Sequence, residues 1–354
     1  KYPDVVSQED DVLGYSIKDL CLVDPQKQLN STQYTQPALY VVNALFYREI
    51  IASGKKPDVL AGHSLGEYNA LNAAGVIDFS TGLKLVKKRG EIMSQAKGGG
   101  MAAVLGITSQ EIKNIMDDNG IVDIDIANFN SPLQTVISGP SKTIGAMEKY
   151  FTGEGVRYVP LNVSAPFHSR YMDKAAQEFA EFLKTFSFSN PTIPVISNVF
   201  ARHFESAAEA RESLPIQIKS AVRWCESMQY FIRNGGSKIV ESGPGTVLSQ
   251  MFEFIKKQSK KSDLEPVKTK ETKSLHESRF TSSENTPLQA PTKSSALDSY
   301  SLPQQKTSVP ETKTSVPERK IQEPLSAEKS ASPVGKNSLP VSELMAKPPV
   351  HLAQ

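Results

Sequence analysis

Val59-Leu60-Ala61-Gly62-His63-Ser64-Leu65-Gly66-Glu67-Tyr68-Asn69-Ala70-Leu71-Asn72-Ala73-Ala74-Gly75 is the stretch from which the fold is read. A short apolar run comes first, then a pentapeptide of the form G-x-S-x-G, then helix formers closed by a glycine. Strand, sharp turn and helix is the context that a nucleophile elbow requires. Small residues on either side of Ser64 let the backbone turn tightly and lift the hydroxyl to the mouth of a sheet. The N–H of Leu65, at the start of the following helix, can then face an oxyanion. Alone, the pattern suits lipases, esterases and thioesterases equally.

Working outward, Gln36–Phe46 has apolar spacing that suits a helix with Pro37 in its first turn. Ser80-Thr81-Gly82 opens another, running through Leu83, Leu85, Val86 and Met93 and carrying Lys87, Lys88 and Arg89. Gly98-Gly99-Gly100 then breaks the chain. Met101–Leu105 reads as a strand, Ser109–Asp118 as a helix capped by Ser109, Ile124–Ala127 and Gln134–Ser138 as strands, Lys142–Phe151 as a helix and Val156–Leu161 as a strand. That βαββαβ order predicts a ferredoxin-like module over 101–163. The chain then returns to a larger unit, with a helix around Ala175–Leu183, a strand at Ile193–Asn198, a helix at Ser227–Arg233 and a last strand at Lys238–Glu241. The expected fold class is α/β: a hydrolase-like parallel-sheet core over 1–100 and 164–257, the ferredoxin-like small subdomain inserted in it, and a disordered tail over 258–354.

Composition supports the division. Residues 261–354 hold 11 of the 23 prolines, one of the 21 glycines (Gly335) and two aromatics, Phe280 and Tyr300. Such a segment buries too little apolar surface to offset its ordering entropy. Its 13 basic and 11 acidic side chains nearly cancel, and the whole chain carries a formal charge of only +2. Neither figure gives a reason to expect nucleic acid. Cys21 and Cys225 lack metal-ligand spacing and read as reduced thiols. No run of 18 apolar residues exists and no signal peptide opens the chain, so no membrane is expected and the localisation read is cytoplasmic.

A serine needs a base. The globular part offers His63, His168 and His203. His63 adjoins the nucleophile, so its side chain should point elsewhere, and His203 sits in a polar surface stretch. His168 lies in a turn between the two units, 104 residues after Ser64, where it could reach across a cleft. No carboxylate follows in the right place for a triad. A Ser64–His168 dyad is expected, with a backbone carbonyl holding the imidazole tautomer.

These residues carry a resemblance. Gly62–Tyr68 resembles the malonyl-CoA:acyl-carrier-protein transacylases, closest to the discrete trans-acting acyltransferases that serve polyketide synthases. Tyr34–Leu39, Lys88–Met93, Asn128–Pro132, Ser164–Ser169 and Glu241–Gly245 agree in the same order, over about residues 10 to 257. The resemblance implies that Ser64 is acylated by a thioester, that His168 is its base and then acid, and that Arg89 binds the malonyl carboxylate. A planar guanidinium pairs with a carboxylate through two parallel hydrogen bonds, which lysine cannot copy. It further implies that the Gln217 backbone carbonyl orients the histidine, in a register supported by Trp224, and that Gln36, Asn130 and His63 lie near the acyl pocket. Phe167 matches malonyl-selective members, where a ring leaves little room for a 2-methyl branch; here Ala165-Pro166 stands where members more often have Gly-Ala.

Implied partners are malonyl-CoA and the phosphopantetheine thiol of an acyl carrier protein or polyketide synthase carrier domain. Coenzyme A enters as a thioester substrate; no cofactor and no metal are implied. Similar acyltransferases are sometimes fused to an enoyl reductase, and such a downstream domain is one expectation for the full reading frame. Family members also open with an apolar strand and a Gly-Gln-Gly-Ser-Gln loop that supplies a second oxyanion N–H. This chain begins at Lys1 already past that loop, so the reading is a truncated start and a chain that alone is a poor enzyme. Two rival functions stand beside the transferase. One is an acyl hydrolase of the same fold that clears stalled carrier proteins, which Arg89 argues against; the other is a scaffold docking through its tail, which the Ser64–His168 pair argues against.

Overall fold

A computed structural model describes residues 9–259. The expected tail, apart from Gln258 and Ser259, lies outside the described residues. The elbow is carried by β1 (Leu60–Ala61), which pairs in parallel with β6 (Val195–Ile196) through Leu60–Val195 and Ala61–Ile196. The chain then turns sharply at Ser64 into α3 (Gly66–Ala73). Helices pack round this pair: α1 (Ile17–Leu22), α2 (Thr32–Ala52), α4 (Phe79–Gln95), α7 (Asp173–Leu183) and α8 (Ala207–Lys219). One apolar cluster ties them together through Tyr40, Leu71, Leu83, Val86, Phe179 and Leu214, all fully buried. The approach of α2 to α4 depends on glycine, because a Cβ at Gly82 would stand 2.0 Å from the Tyr40 hydroxyl.

The second sheet is antiparallel and four-stranded, in the order β3 (Asp125–Ser131), β4 (Gln134–Pro140), β2 (Gly99–Leu105), β5 (Arg157–Pro160). Between its strands run α5 (Ser109–Asp118) and α6 (Ser141–Met147). It has an apolar cluster of its own, with Ala102, Val104, Ile112 and Ile137 at its centre. It is fastened to the rest by backbone bonds, Phe129 N–H to the Val222 carbonyl (2.9 Å) and Val222 N–H to that of Ala127 (2.8 Å). A Cβ on Gly99 would meet the Pro166 ring at 2.2 Å, so this glycine brings β2 against the turn that carries His168. A third cluster joins Trp224 and Met228 of α9 (Trp224–Arg233) to Phe252 and Ile255 of α10 (Val247–Gln258).

The chain is thus α/β with mixed sheets, and it departs from the expected pattern in instructive places. Among the described residues the parallel pairing is the two-residue pair β1–β6 and an isolated bridge between Asn128 and Val222, and Lys238–Glu241 joins no ladder. Apolar alternation makes a segment fit for a strand, yet a ladder also needs a neighbour offering free N–H and C=O groups. Helix α2 starts at Thr32, so Pro37 lies in its second turn, and the Thr35 hydroxyl donates to the Leu29 and Ser31 carbonyls there. Gly99 and Gly100 belong to β2 rather than breaking the chain. Two helix starts also move. Asp78 caps α4 by accepting from Thr81 N–H at 2.7 Å, and Thr108 caps α5 in a reciprocal box with Glu111.

Candidate active site

Ser64 has φ +49°, a left-handed conformation that costs a non-glycine residue about 1–2 kcal/mol. Its surroundings over-determine it. The Asn198 side chain accepts from Ser64 N–H (2.7 Å) and donates to the Gly62 carbonyl (2.7 Å), so one amide clamps both sides of the turn. The Gln217 amide donates to the Ser64 carbonyl at 2.9 Å. Gly62 is indispensable to the turn, since a Cβ there would fall 1.9 Å from the Gly66 backbone. Gly66 itself faces open space. The Leu65 N–H sits at the N-cap of α3, where the helix's own ladder does not use it.

Ser64 Oγ lies 2.8 Å from His168 Nε2. His168, also left-handed at φ +56°, has its Nδ1 2.9 Å from the Gln217 carbonyl and 3.2 Å from that of Ser220. A carbonyl only accepts, so Nδ1 carries the proton and Nε2 is left to accept from Ser64. Burial, and then the positive charge of Arg89, push the imidazole down to about 3. The ring is therefore neutral at physiological pH, the form a base requires.

Arg89 extends from α4 and is 1 % exposed. Its Nη2 donates to Ser64 Oγ (3.0 Å) and to Gln217 Oε1 (3.1 Å), and its Nη1 to Gln36 Oε1 (2.6 Å). The Tyr68 ring centre lies 5.5 Å from the guanidinium carbon. Burial lowers the Arg89 pKa while Tyr68 and Glu67 pull it back, and a guanidinium stays protonated in proteins. Among the described residues, Arg89 Nε and the Tyr68 hydroxyl, both buried, have no partner in full hydrogen-bond geometry. A buried cation beside the nucleophile, held only by neutral acceptors, is suited to receive an anion.

Gln36 is thus brought to the site through Arg89. His63 and Asn130 meet each other instead: His63 Nε2 is 2.9 Å from Asn130 Oδ1, and the imidazole lies against Trp224 with centroids 5.6 Å apart. Phe167 is buried beside His168 in the large apolar cluster. His203 is exposed and bonded to the Tyr230 hydroxyl at 2.6 Å. A cavity of about 680 Å³ runs past His63, Ser64 and Leu65 toward Trp224 and Ile239. Another, about 760 Å³, opens on His168 between Arg170–Asp125 and Lys219–Asp173, two ion pairs at its mouth.

Sequence reasoning missed three contributors. Asn198 stands at the end of the Ile193–Asn198 run, just where β6 delivers a side chain to the turn. The Gln217 side chain contacts Arg89, Ser64 and Glu67 in addition to the role expected of its backbone. Glu67 was visible only as part of the elbow motif, although a carboxylate directly after a G-x-S-x-G turn points inward from the first turn of the helix. It is fully buried and accepts from Asn198 N–H at 2.7 Å and from the Gln217 amide.

Residues 7–268 match the acyl transferase domain family. The polyketide biosynthesis malonyl CoA-acyl carrier protein transacylase PksC of Bacillus subtilis (strain 168) is 48 % identical over 262 residues, which is 73 % of this chain and 91 % of that protein. BaeC of Bacillus velezensis, with the same description, is 49 % identical over 265 residues, 74 % of this chain and 91 % of its own. Among solved structures, the malonyl CoA-acyl carrier protein transacylase from Burkholderia pseudomallei superposes with a TM-score of 0.71 at 49 % identity, covering 73 % of this chain and 91 % of the other. A complex of a type II polyketide synthase acyl-carrier protein with its malonyl-transacylase matches with a TM-score of 0.68 at 35 % identity, covering 71 % and 84 %.

Proposed function

The chain belongs to the acyl transferase domain family, and from that premise we propose that it moves a malonyl group from coenzyme A, through an ester on Ser64, to the phosphopantetheine thiol of an acyl carrier protein in polyketide or fatty acid biosynthesis. In the first half-reaction His168 Nε2 takes the Ser64 proton as Oγ attacks the thioester carbonyl. The Leu65 N–H faces the oxyanion of the tetrahedral intermediate. As the C–S bond breaks, His168 returns the proton to the departing coenzyme A sulfur. In the second half His168 takes the proton of the carrier thiol, the sulfur attacks the ester carbonyl, and Ser64 leaves with that proton. The Gln217 carbonyl keeps the imidazole in one tautomer through both halves.

Arg89 carries the choice of acyl group. A malonyl carboxylate on its guanidinium would take over the Nη2 hydrogen now given to Ser64 Oγ and leave the contacts to Gln36 and Gln217 in place, and the buried setting strengthens that pairing. The single observation behind the reading is this cation, 3.0 Å from the nucleophile and with no carboxylate among its hydrogen-bond partners in the described residues. Gln36, Asn130 and His63 complete the wall of the acyl pocket in this reading, and Phe167 limits room for a 2-methyl branch. We read 101–163 as the ferredoxin-like subdomain inserted in a hydrolase-like core over 1–100 and 164–257, supported by the separate apolar cluster of the small sheet. No described helix is long and apolar enough to cross a membrane. As written, the chemistry needs no metal or redox group.

The test is to follow labelled malonyl-CoA with and without a phosphopantetheinylated carrier protein. Label on Ser64 that moves to the carrier is expected. Release of free malonate in place of transfer would indicate the hydrolase, and absence of any serine-linked label would defeat an enzymatic role.

A further inference from the structure

The Glu67 carboxylate is not used by the two half-reactions, yet it is fully buried within the site. An ionised carboxylate only accepts hydrogen bonds, and both of its oxygens are taken, Oε1 by Asn198 N–H (2.7 Å) and Oε2 by the Gln217 amide nitrogen. That nitrogen also donates to the Ser64 carbonyl at 2.9 Å, so both of its hydrogens are committed. The amide oxygen is thereby left facing Arg89 Nη2 at 3.1 Å. Turned over, the amide would set an NH₂ against the guanidinium, donor against donor, and an oxygen against two acceptors.

We propose that Glu67 is a positioning residue: its buried carboxylate fixes the orientation of the Gln217 amide, and the amide oxygen in turn aims the Arg89 guanidinium at the acyl group on Ser64. The inference rests on reading Arg89 as the partner of the malonyl carboxylate. The charge of Glu67 reaches Arg89 through the amide rather than through a direct ion pair, which leaves the guanidinium able to pair with an incoming anion. A neutral donor at position 67 removes one of the three contacts that hold that amide orientation and leaves only the Ser64 carbonyl and Arg89 to keep it. Malonyl loading, which needs the guanidinium in place, then suffers more than acetyl loading, which does not.

Titration of Glu67 offers a second readout. Burial raises its pKa to about 7, against the opposing hydrogen bonds from Asn198 and Gln217 and the charge of Arg89. The ionisable groups facing it are Arg89 from α4 and Tyr68 from its own helix. Asn198, after β6, and Gln217, on α8, are neutral, and His168 lies beyond Gln217 with its own pKa pushed down to about 3. Glu67 is ionised on the alkaline side, so preference for malonyl should rise as pH rises through about 7.

The experiment measures the ratio of malonyl to acetyl loading on Ser64, as kcat/KM from each coenzyme A thioester, for wild type, Glu67→Gln, Arg89→Ala and the double variant. The glutamine keeps an acceptor for Asn198 N–H and presents a donor to Gln217. We expect Arg89→Ala to lower the ratio by about 100-fold and Glu67→Gln by about tenfold, with the double variant no lower than Arg89→Ala alone. Equal loss of malonyl and acetyl loading in Glu67→Gln, or full additivity in the double variant, overturns the inference and leaves the Arg89 reading standing. A ratio unchanged by Arg89→Ala removes the carboxylate partner and both readings with it. If Glu67→Gln melts without a cooperative transition, wild type decides through its pH series. A ratio rising about tenfold through pH ~7 with acetyl loading flat supports the proposal, and a ratio flat across that range overturns it.

Discussion

Two residues on opposite sides of one hydrogen bond, Ser64 and His168, both hold left-handed backbone conformations that only their surroundings can enforce. Ser64 is kept there by Asn198 and Gln217, and His168 by the carbonyls of Gln217 and Ser220 at its Nδ1. The electrostatic consequence is testable. A free imidazole titrates near 6.5, but burial and Arg89 push this one to about 3. Acetyl loading should therefore stay flat between about pH 5.5 and 8, and a fall centred near pH 6.5 would contradict the assignment. The same depression works against stability in acid. The unfolded chain takes up the His168 proton near the ordinary value and the folded chain only near 3, so this group's contribution is present above the former and is lost as pH falls toward the latter.

At the scale of elements, the two glycines of the elbow are not equivalent. A methyl on Gly62 would collide with the Gly66 backbone, whereas one on Gly66 meets nothing within 4 Å. Gly62→Ala is thus expected to lose cooperative folding or nearly all loading. Gly66→Ala should keep loading within about threefold of wild type, since alanine is favoured over glycine at a helix start in space that is open. Equal tolerance at both positions would show that the turn is looser than the structure has it. The strand-turn-helix order could be read from the sequence because it depends on local composition, and so could the βαββαβ run of the small sheet. Two details were misplaced for different reasons: which of several neighbouring residues caps a helix is a local competition, whereas whether a segment finds a ladder is set by distant partners. Asp78 and Thr108 displaced the nearer serines as caps, and Lys238–Glu241 had strand composition but no ladder to join. Helix α8 carries Pro215 and little apolar periodicity, yet it delivers Gln217 to the site.

Across the whole molecule, the site is assembled from segments far apart in the chain. Ser64, Glu67 and Tyr68 come from the elbow, Arg89 from α4, His168 from the turn after the small sheet, Asn198 from the end of β6 and Gln217 from α8. Sequence could name the chemically obvious members because motif and residue type announce them. It could not show that Glu67, Gln217 and Asn198 connect nucleophile, base and cation into one network, because that connection spans about 150 residues of separation. The network explains how a fully buried guanidinium persists beside the serine: neutral acceptors take three of its N–H groups while a carboxylate one amide away offsets its charge. The decisive question is whether that cation receives the acyl group's carboxylate. The direct measurement is intact mass of the protein after brief exposure to malonyl-CoA or acetyl-CoA, for wild type and Arg89→Ala. We expect a malonyl adduct on Ser64 that Arg89→Ala largely abolishes while an acetyl adduct persists. Loss of both adducts to the same extent, or a malonyl adduct undiminished by Arg89→Ala, would contradict it.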